Sequence, residues 1–319
     1  MSLVDCHVHL AAFPDRGNGC LISRRMLRSP AFRFLRWRLS LPLDDPPAAN
    51  RQYVAGLLAE LRSSRHVGRA VVLGMDGVYD AVGRLDEART DFLVGNDYVL
   101  GVVREHPELL AGVSINPRRR DAVDEVRRCA EAGAALVKIL PNAQQFDPAD
   151  PGFRPFYRAL AERRLPLLSH VGYEFTLFGH DQSAGDPERL RAPLDEGVTV
   201  IAAHACSFGL VFHEKFLPTL LDLARRYKGF YADISATTLP NRCGMLLRLR
   251  HHPEVHPRLL FGTDFPLPVF HLPAWGRVSP KELREIVRTR NRFDRQVLVC
   301  RGLGVGFGSF EALRTPGRE

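Results

Sequence analysis

The stretch Val4-Asp5-Cys6-His7-Val8-His9 has the composition of a short buried strand that ends in two histidines. Side chains alternate between the two faces of a strand, so His7 and His9 share a face, roughly 7 Å apart at about 3.3 Å per residue. Asp5 lies on the same face, one pleat deeper. Two imidazoles in this position can bind one metal ion just beyond the strand. The stretch therefore predicts a metal site at the end of the first strand.

Four further apolar runs also end in a residue that binds metals or transfers protons. These runs are 134–138, 165–170, 198–204 and 259–264, and they end in Lys138, His170, His204 and Asp264. Short apolar runs are typical of buried parallel strands. A functional residue at the C-terminal tip of strand after strand is how a (β/α)₈ barrel builds its active site. The five runs therefore predict a metal-dependent barrel enzyme.

Three more strands, at 70–76, 110–116 and 229–235, complete a set of eight. Their tips carry Asp76, Asn116 and Asp233, which we interpret as candidates for substrate contact. One β-turn-α unit needs about 30 residues, and only the interval from His9 to Asp76 is far longer. We therefore predict an α/β fold, a (β/α)₈ TIM barrel forming one domain over 1–319. An insertion at about 16–50 follows strand 1.

A doubly wound open sheet is the competing architecture for alternating strands and helices. It would concentrate its site at one switch point between strands. Here the candidate residues follow at least five strands, which favours a closed barrel. The glycine-rich segment 302–308 does not match a phosphate-binding loop, because no βαβ unit follows it. We interpret that segment as a closing turn.

The composition is that of an ordinary globular chain, with 45% hydrophobic and 25% charged residues. The net charge is +8, but the arginines are scattered, which favours a coding bias over a nucleic-acid site. No run approaches the about 20 apolar residues of a membrane span. The first strand starts by Leu3, which leaves no room for a signal peptide. We expect a cytoplasmic protein with a small-molecule substrate and without a nucleic-acid or membrane partner; a homo-oligomer stays open.

The insertion after strand 1 is rich in arginine and aromatic residues, and Pro30 splits it into two short pieces. It could lie on a membrane surface or cover the mouth of the barrel. A loop that leaves strand 1 on the catalytic side is placed to be a lid, which is the interpretation we favour. Arg24 and Arg25 would then meet an anionic substrate, in particular a carboxylate.

Five motifs resemble those of one known family. They are D-C-H-V-H-L at 5–10, V-K-I-L-P at 137–141, L-L-S-H-V-G at 167–172, A-A-H-A at 202–205 and F-G-T-D-F-P at 261–266. In this order and spacing they resemble the amidohydrolase superfamily, and most closely its amidohydrolase-related branch of hydrolases and non-oxidative decarboxylases. The resemblance extends from residue 4 to about 268.

The resemblance implies a role for each of these residues. His7, His9, His170 and Asp264 would bind a divalent metal, and Asp264 would also accept a proton from the metal-bound water. His204 would bind a second metal or polarise the substrate. Lys138 corresponds to the lysine that two-metal members carboxylate, so the resemblance implies one ion, or two if Lys138 is carboxylated. Imidazole and carboxylate ligands favour zinc, although they also suit iron, manganese and nickel.

These roles predict hydrolysis by metal-activated water. A bound divalent ion can lower the pKa of its water from about 15.7 to near 7, and a neighbouring carboxylate can transfer the proton. The predicted substrate is a small ester, lactone or amide that can carry a carboxylate. Two alternatives remain: non-oxidative decarboxylation of an unsaturated or aromatic acid, and a binding protein that docks on anionic surfaces through Arg24–Arg38.

Overall fold

Eight parallel strands lie side by side around a barrel in the computed structural model, which describes residues 2–15, 17–42, 44–175, 177, 181–210 and 213–313. Each strand pairs with the next barrel strand along the chain. All eight predicted strands are present. Their apolar residues are buried, as expected for strands covered on both faces. The barrel strands are β1 (Leu3–His9), β3 (Val67–Leu73), β5 (Leu109–Ser114), β6 (Leu136–Ile139), β7 (Leu167–Ser169), β8 (Val200–Ala202), β9 (Phe230–Asp233) and β10 (Leu259–Leu260).

The last barrel strand returns to the first and closes the sheet. The amide of Cys6 donates to the carbonyl of Phe261 at 2.9 Å, and that of Asp264 donates to the carbonyl of His7 at 2.9 Å. The amide of His9 donates to the carbonyl of Phe265 at 2.8 Å. An open doubly wound sheet would leave these edges unpaired, so the predicted (β/α)₈ TIM barrel is confirmed.

Helices surround the barrel and connect its strands. Those between the strands include α5, where Val126 and Cys129 are fully buried on the face packed inward. The helices are α1 (Arg24–Arg28), α2 (Pro30–Leu39), α3 (Pro46–Arg62), α4 (Asn96–Glu105), α5 (Ala122–Glu131), α6 (Pro141–Gln144), α7 (Arg154–Glu162), α8 (Arg191–Asp195), α9 (Leu217–Arg226), α10 (Cys243–Leu249), α11 (Pro280–Arg288) and α12 (Arg292–Gly302). Within the described residues, no helix is both long and apolar enough to cross a bilayer.

The first part of the segment between β1 and β3 lies over the C-terminal end of the barrel, whereas its last helix, α3, packs against β3. Its short strand β2 (Leu21–Ile22) pairs antiparallel with β4 (Phe92–Leu93), and α1 and α2 follow. Ser29 ends α1 and caps α2, where its hydroxyl accepts from the amide of Phe32, and Pro30 begins α2. The break predicted at Pro30 is therefore present. Residue 16, where the predicted insertion begins, lies outside the described residues.

The glycine-rich segment 302–308 follows α12 and turns back to the barrel. Gly304 has a left-handed φ of 70°, which a side chain would disfavour. The amide of Gly308 donates to the carbonyl of Leu259 on β10 at 2.7 Å. The segment is thus a closing turn, as predicted, and it ties the end of the chain to the barrel.

Candidate metal centre and active site

Two histidines from β1 and an aspartate from the end of β10 converge at the C-terminal mouth of the barrel. The carboxylate Oδ1 of Asp264 lies 3.0 Å from Nε2 of His9 and 3.4 Å from Nε2 of His7. Burial alone would raise the pKa of Asp264, but the imidazoles of His7, His204 and His9 hold it well below its ordinary value. The pair of histidines on one face of β1, predicted from the alternation of side chains, meets the predicted carboxylate.

The orientation of His7 is fixed by Asp233 from the end of β9. Nδ1 of His7 donates to the Asp233 carboxylate at 2.8 Å, so Nε2 carries the lone pair and faces Asp264. Burial, and then the positive charge of Lys138, lowers the pKa of His7. Burial would raise the pKa of Asp233, but His7 and Ser235 bring it below its ordinary value. A carboxylate behind a metal-binding histidine is a common arrangement in metal sites.

A chain of hydrogen bonds extends from Ser235 to His170. Nδ1 of His204 lies 3.2 Å from the carbonyl of Ser235 and 2.9 Å from its hydroxyl. Since the carbonyl can only accept, Nδ1 of His204 carries the proton and Nε2 accepts from Nδ1 of His170 at 3.2 Å. Nε2 of His170 is then left with a lone pair. Burial, and then the charge of Arg242, holds the pKa of both rings well below the ordinary value.

Two buried atoms in this cluster lack a hydrogen-bond partner among the described residues: Oδ1 of Asp264 and Nε2 of His170. A buried polar atom without a partner costs free energy, about 1–3 kcal/mol, unless a ligand satisfies it. Both atoms have the chemistry of metal ligands, and His7, His9 and Asp264 present three donors within 4.8 Å of one another. The residues therefore fit a divalent metal ion, with His170 beside the three-residue group as a further donor.

Lys138 is fully buried at the end of β6, as predicted, and its Nζ lies 3.4 Å from Nε2 of His7. Burial lowers the pKa of its amine to about 8, against the opposing effect of Asp233 and Asp264. The lysine thus adjoins the candidate metal site. Its carboxylation stays a prediction.

The residues predicted to contact substrate make contacts within the protein. Asp76 accepts from the amide of Asn116 at 2.7 Å, and Asp233 lies behind His7 with no exposed surface. Arg25 binds both carboxylate oxygens of Asp91, at 3.0 and 2.7 Å. Among described residues, the cavity at the mouth is lined by Arg36 rather than by Arg24 or Arg25. Substrate contact by these five residues stays a prediction that the observed contacts do not favour.

Several residues of the site were not identified from the sequence. Glu174 lines the cavity, and its Oε2 lies 3.8 Å from Nε2 of His170. Arg242 is buried and donates to the carbonyls of Ser207 and Tyr173, at 3.0 and 2.8 Å, which holds the loop that bears Glu174. Glu174 could have been predicted from its position, because it is a carboxylate four residues after the candidate ligand His170. For Arg242 the sequence carries no signal, because its charge is used on distant backbone carbonyls.

Asp5 connects the two strands that carry the centre. Its carboxylate accepts from the amide of His7 at 2.9 Å and from the hydroxyl of Thr263 at 2.6 Å. Burial raises the pKa of Asp5 to about 8, against the lowering effect of the Thr263 hydrogen bond. The side chain that continues the face of His7 and His9 therefore joins β1 to β10 below the metal centre.

His204 and Asp264 have left-handed backbone conformations, with φ of 57° and 64°. Such conformations cost about 1–3 kcal/mol in residues other than glycine and cluster at functional sites. Hydrogen bonds hold both in place: the amide of His204 donates to Asp233 at 3.0 Å, and that of Asp264 donates to the carbonyl of His7 at 2.9 Å. The backbone is thus shaped to present these two side chains at the mouth.

A cavity of about 160 Å³ opens directly above the centre. Its floor is formed by His9, His170, His204 and Asp264. Its roof comes from residues 21–41, which we call the lid, through side chains such as Met26. The segment after β1 therefore lies over the site, as the lid interpretation expects.

The chain matches the family model described as Amidohydrolase over residues 4–286. A search of curated proteins by sequence finds no significant match. Among solved structures, a protein assigned as a 2-pyrone-4,6-dicarboxylic acid hydrolase from Pseudomonas putida is similar, with 15% identity and a TM-score of 0.52 over 95% of this chain and 98% of that one.

Two decarboxylase structures are similar to the same degree. The 5-carboxyvanillate decarboxylase of Sphingomonas paucimobilis has 14% identity and a TM-score of 0.51, over 95% of this chain and 97% of that one. That of Novosphingobium aromaticivorans, solved with bound manganese, has 13% identity and a TM-score of 0.53, over 98% and 97%. At these identities the likeness concerns the fold, whereas the family match covers most of the chain. This chain is therefore an enzyme of the metal-dependent amidohydrolase family.

Proposed function

We propose that this enzyme is a metal-dependent hydrolase that cleaves a small ester, lactone or amide. The proposal rests on one observation above all: a buried, ionised carboxylate oxygen of Asp264 lies between two imidazole nitrogens and has no hydrogen-bond partner among the described residues. A bound divalent ion supplies an acidic water and polarises the scissile carbonyl. The remaining steps fall to the residues around it.

Asp264 would act as the proton carrier. Its low pKa keeps it ionised at neutral pH, so it can take a proton from water at the mouth and deliver it to the leaving group. His7 and His9 would hold the ion through Nε2, and Asp233 keeps His7 in the required tautomer. His170 would present Nε2 as a further ligand. His204, which holds His170 and lines the cavity, would face the reacting carbonyl.

We further propose one zinc ion per chain. Two imidazoles with a carboxylate are a donor set found in catalytic zinc sites, which keep one position open for water. A second possible donor group, His7, His204 and Asp233, shares His7 with the first, and its other members are engaged with His170 and His7, which favours a single ion. Lys138 then acts as an unmodified neighbour of His7. Carboxylated Lys138 with two ions is the competing arrangement.

The remaining proposals concern where and with what the enzyme works. We propose that it acts in the cytoplasm on a small molecule, without a nucleic-acid or membrane partner. All six cysteines lie in the described part of the chain and are free thiols, which agrees with a reducing compartment.

Product analysis tests the reaction class. The enzyme, stripped of metal and reloaded with zinc or manganese, is given a panel of aryl esters, lactones and anilides beside a panel of hydroxybenzoic acids. We expect acid release from the first panel, reduced at least about 100-fold in Asp264→Asn, whereas Asp124→Asn at a side chain that is 81% exposed serves as the control. Release of carbon dioxide from the second panel, without hydrolysis of the first, would replace hydrolysis by decarboxylation.

A further inference from the structure

The walls and roof of the cavity above the metal centre are mostly apolar. The lid contributes Met26, Phe32, Leu35 and Leu39 to its lining, and the barrel loops add Phe92 and Leu267. A polar group that enters such a cavity loses its water and finds no hydrogen-bond partner on these side chains, which costs about 2–7 kcal/mol. An apolar group gains free energy there in proportion to the area that it buries.

Charged side chains in the lining do not form a carboxylate site. Apart from the floor, the described lining holds two: Glu174, which carries the same sign as an acidic substrate, and Arg36, whose side chain is exposed to water. Arg25 is already paired with Asp91 at 2.7 Å. A substrate carboxylate under the lid would therefore meet mostly apolar surface and the carboxylate of Glu174, and the cation in the described lining, Arg36, is exposed to water, which screens its charge.

The size of the cavity limits what it holds. Its volume of about 160 Å³ is close to the about 150 Å³ of an apolar protein cavity that binds benzene. One aromatic ring, or a chain of about six carbons, is the matching ligand. The floor, with the candidate metal ligands, adjoins this space directly, so such a group would lie next to the reacting bond.

We propose that the substrate of this enzyme carries an uncharged apolar group, the size of one ring or a six-carbon chain, which the lid encloses beside the bond that is hydrolysed. The bond that is hydrolysed rests on the proposed function, whereas the apolar group rests on the shape and lining of the cavity. It replaces an acidic substrate held by Arg24 or Arg25, because those two residues do not line the space.

Binding of neutral ketones tests the cavity without requiring turnover. Methyl ketones from butan-2-one to nonan-2-one resemble an ester at the carbonyl and differ only in chain length. Their Kd values follow from the rise of the unfolding midpoint with ligand concentration. We expect affinity to increase about fourfold per added CH₂, up to about six carbons, and then to level off. A keto acid of equal length with a terminal carboxylate should bind at least about tenfold more weakly.

Matched variants of α2 locate the effect. Leu35 lines the cavity, whereas its neighbour Phe34 is 47% exposed on the outside. Leu35→Asp should abolish the dependence on chain length, and Phe34→Asp should leave it unchanged. Leu35→Trp, which keeps the lid apolar, should shorten the chain length at which affinity levels off.

The outcomes separate this inference from the proposed function. Affinity that does not depend on chain length, or tighter binding of keto acids than of ketones, would overturn the proposed apolar group of the substrate even if esters are hydrolysed. A clear dependence on chain length with no hydrolysis of any matching ester would support the apolar group and overturn the hydrolase. Hydrolysis that follows the same chain-length dependence supports both.

Discussion

The metal centre and the lid are held together by different physical interactions. At the centre, buried residues such as His7 and Asp233 are fixed by short hydrogen bonds from barrel strands. The lid is attached near its N-terminal end, through β2 and the Arg25–Asp91 pair, and it contacts the cavity mainly through apolar side chains. Directional bonds fix geometry, whereas apolar contact selects by size. From this comparison we propose that the centre determines the chemistry and the lid determines which molecules reach it.

The largest effect is expected at the ligands of the centre. His7→Ala and His9→Ala remove an imidazole from the three-residue group, so each variant should lose most of its bound metal. His251→Ala at an exposed histidine is the control and should retain it. Elemental analysis of the purified proteins measures this. Full occupancy in both ligand variants would show that the ion, if bound, lies elsewhere.

The next effect concerns proton transfer. Asp264→Asn removes a group that can accept a proton, so turnover of any ester substrate should fall by about 10²–10⁴. The fold should persist, because the backbone bond from Asp264 to His7 remains. Circular dichroism and steady-state kinetics check the two parts. Activity within tenfold of the wild type would remove Asp264 from the mechanism.

A smaller effect is expected at Asp233, which contacts a candidate metal ligand rather than the metal itself. Asp233→Asn keeps the shape of the side chain but not the charge that holds Nδ1–H of His7, so metal affinity should fall about 10- to 100-fold. Competition with a metal-binding dye gives the Kd. An unchanged Kd would mean that His7 is oriented by Ser235 alone, whose hydroxyl lies 3.0 Å from the same nitrogen.

Metal stoichiometry distinguishes the two states of Lys138. We expect one ion per chain after reconstitution, with or without bicarbonate, because an unmodified amine cannot bridge two metals. A second ion that appears only with bicarbonate would establish the carboxylated lysine.

The smallest effect is expected at the outer side of the lid. Arg24→Ala should change KM by less than about twofold, since this exposed residue does not line the cavity. Trp37 is 76% exposed on α2, so its fluorescence reports directly on vesicle binding. In the Trp275→Phe variant, anionic vesicles should leave the emission of Trp37 unchanged. A blue shift that salt reverses would make the lid a membrane-docking element instead.

The sequence was sufficient for the barrel and for most of the centre. Buried parallel strands are continuous apolar runs, and their C-terminal tips must meet at one end, so His7, His9 and Asp264 could be placed without coordinates. The lid could be located but not oriented. Successive side chains of a helix point in different directions, and only the packing of the lid shows that Arg36 rather than Arg25 adjoins the cavity. The role of Asp233 could not be predicted either, because a carboxylate at a strand tip can face substrate, metal or a neighbouring histidine.

The hydrogen bond from Asp264 to the carbonyl of His7 joins residues 257 positions apart in sequence (264 minus 7). The donors of the metal site come from both sides of this seam, so they cannot assemble until the last barrel strand has been synthesised and docked. A nascent or truncated chain that stops before β10 has the two histidines and lacks the carboxylate. We therefore expect metal uptake in this enzyme to be coupled to completion of the fold, so that an incomplete chain does not acquire an active centre.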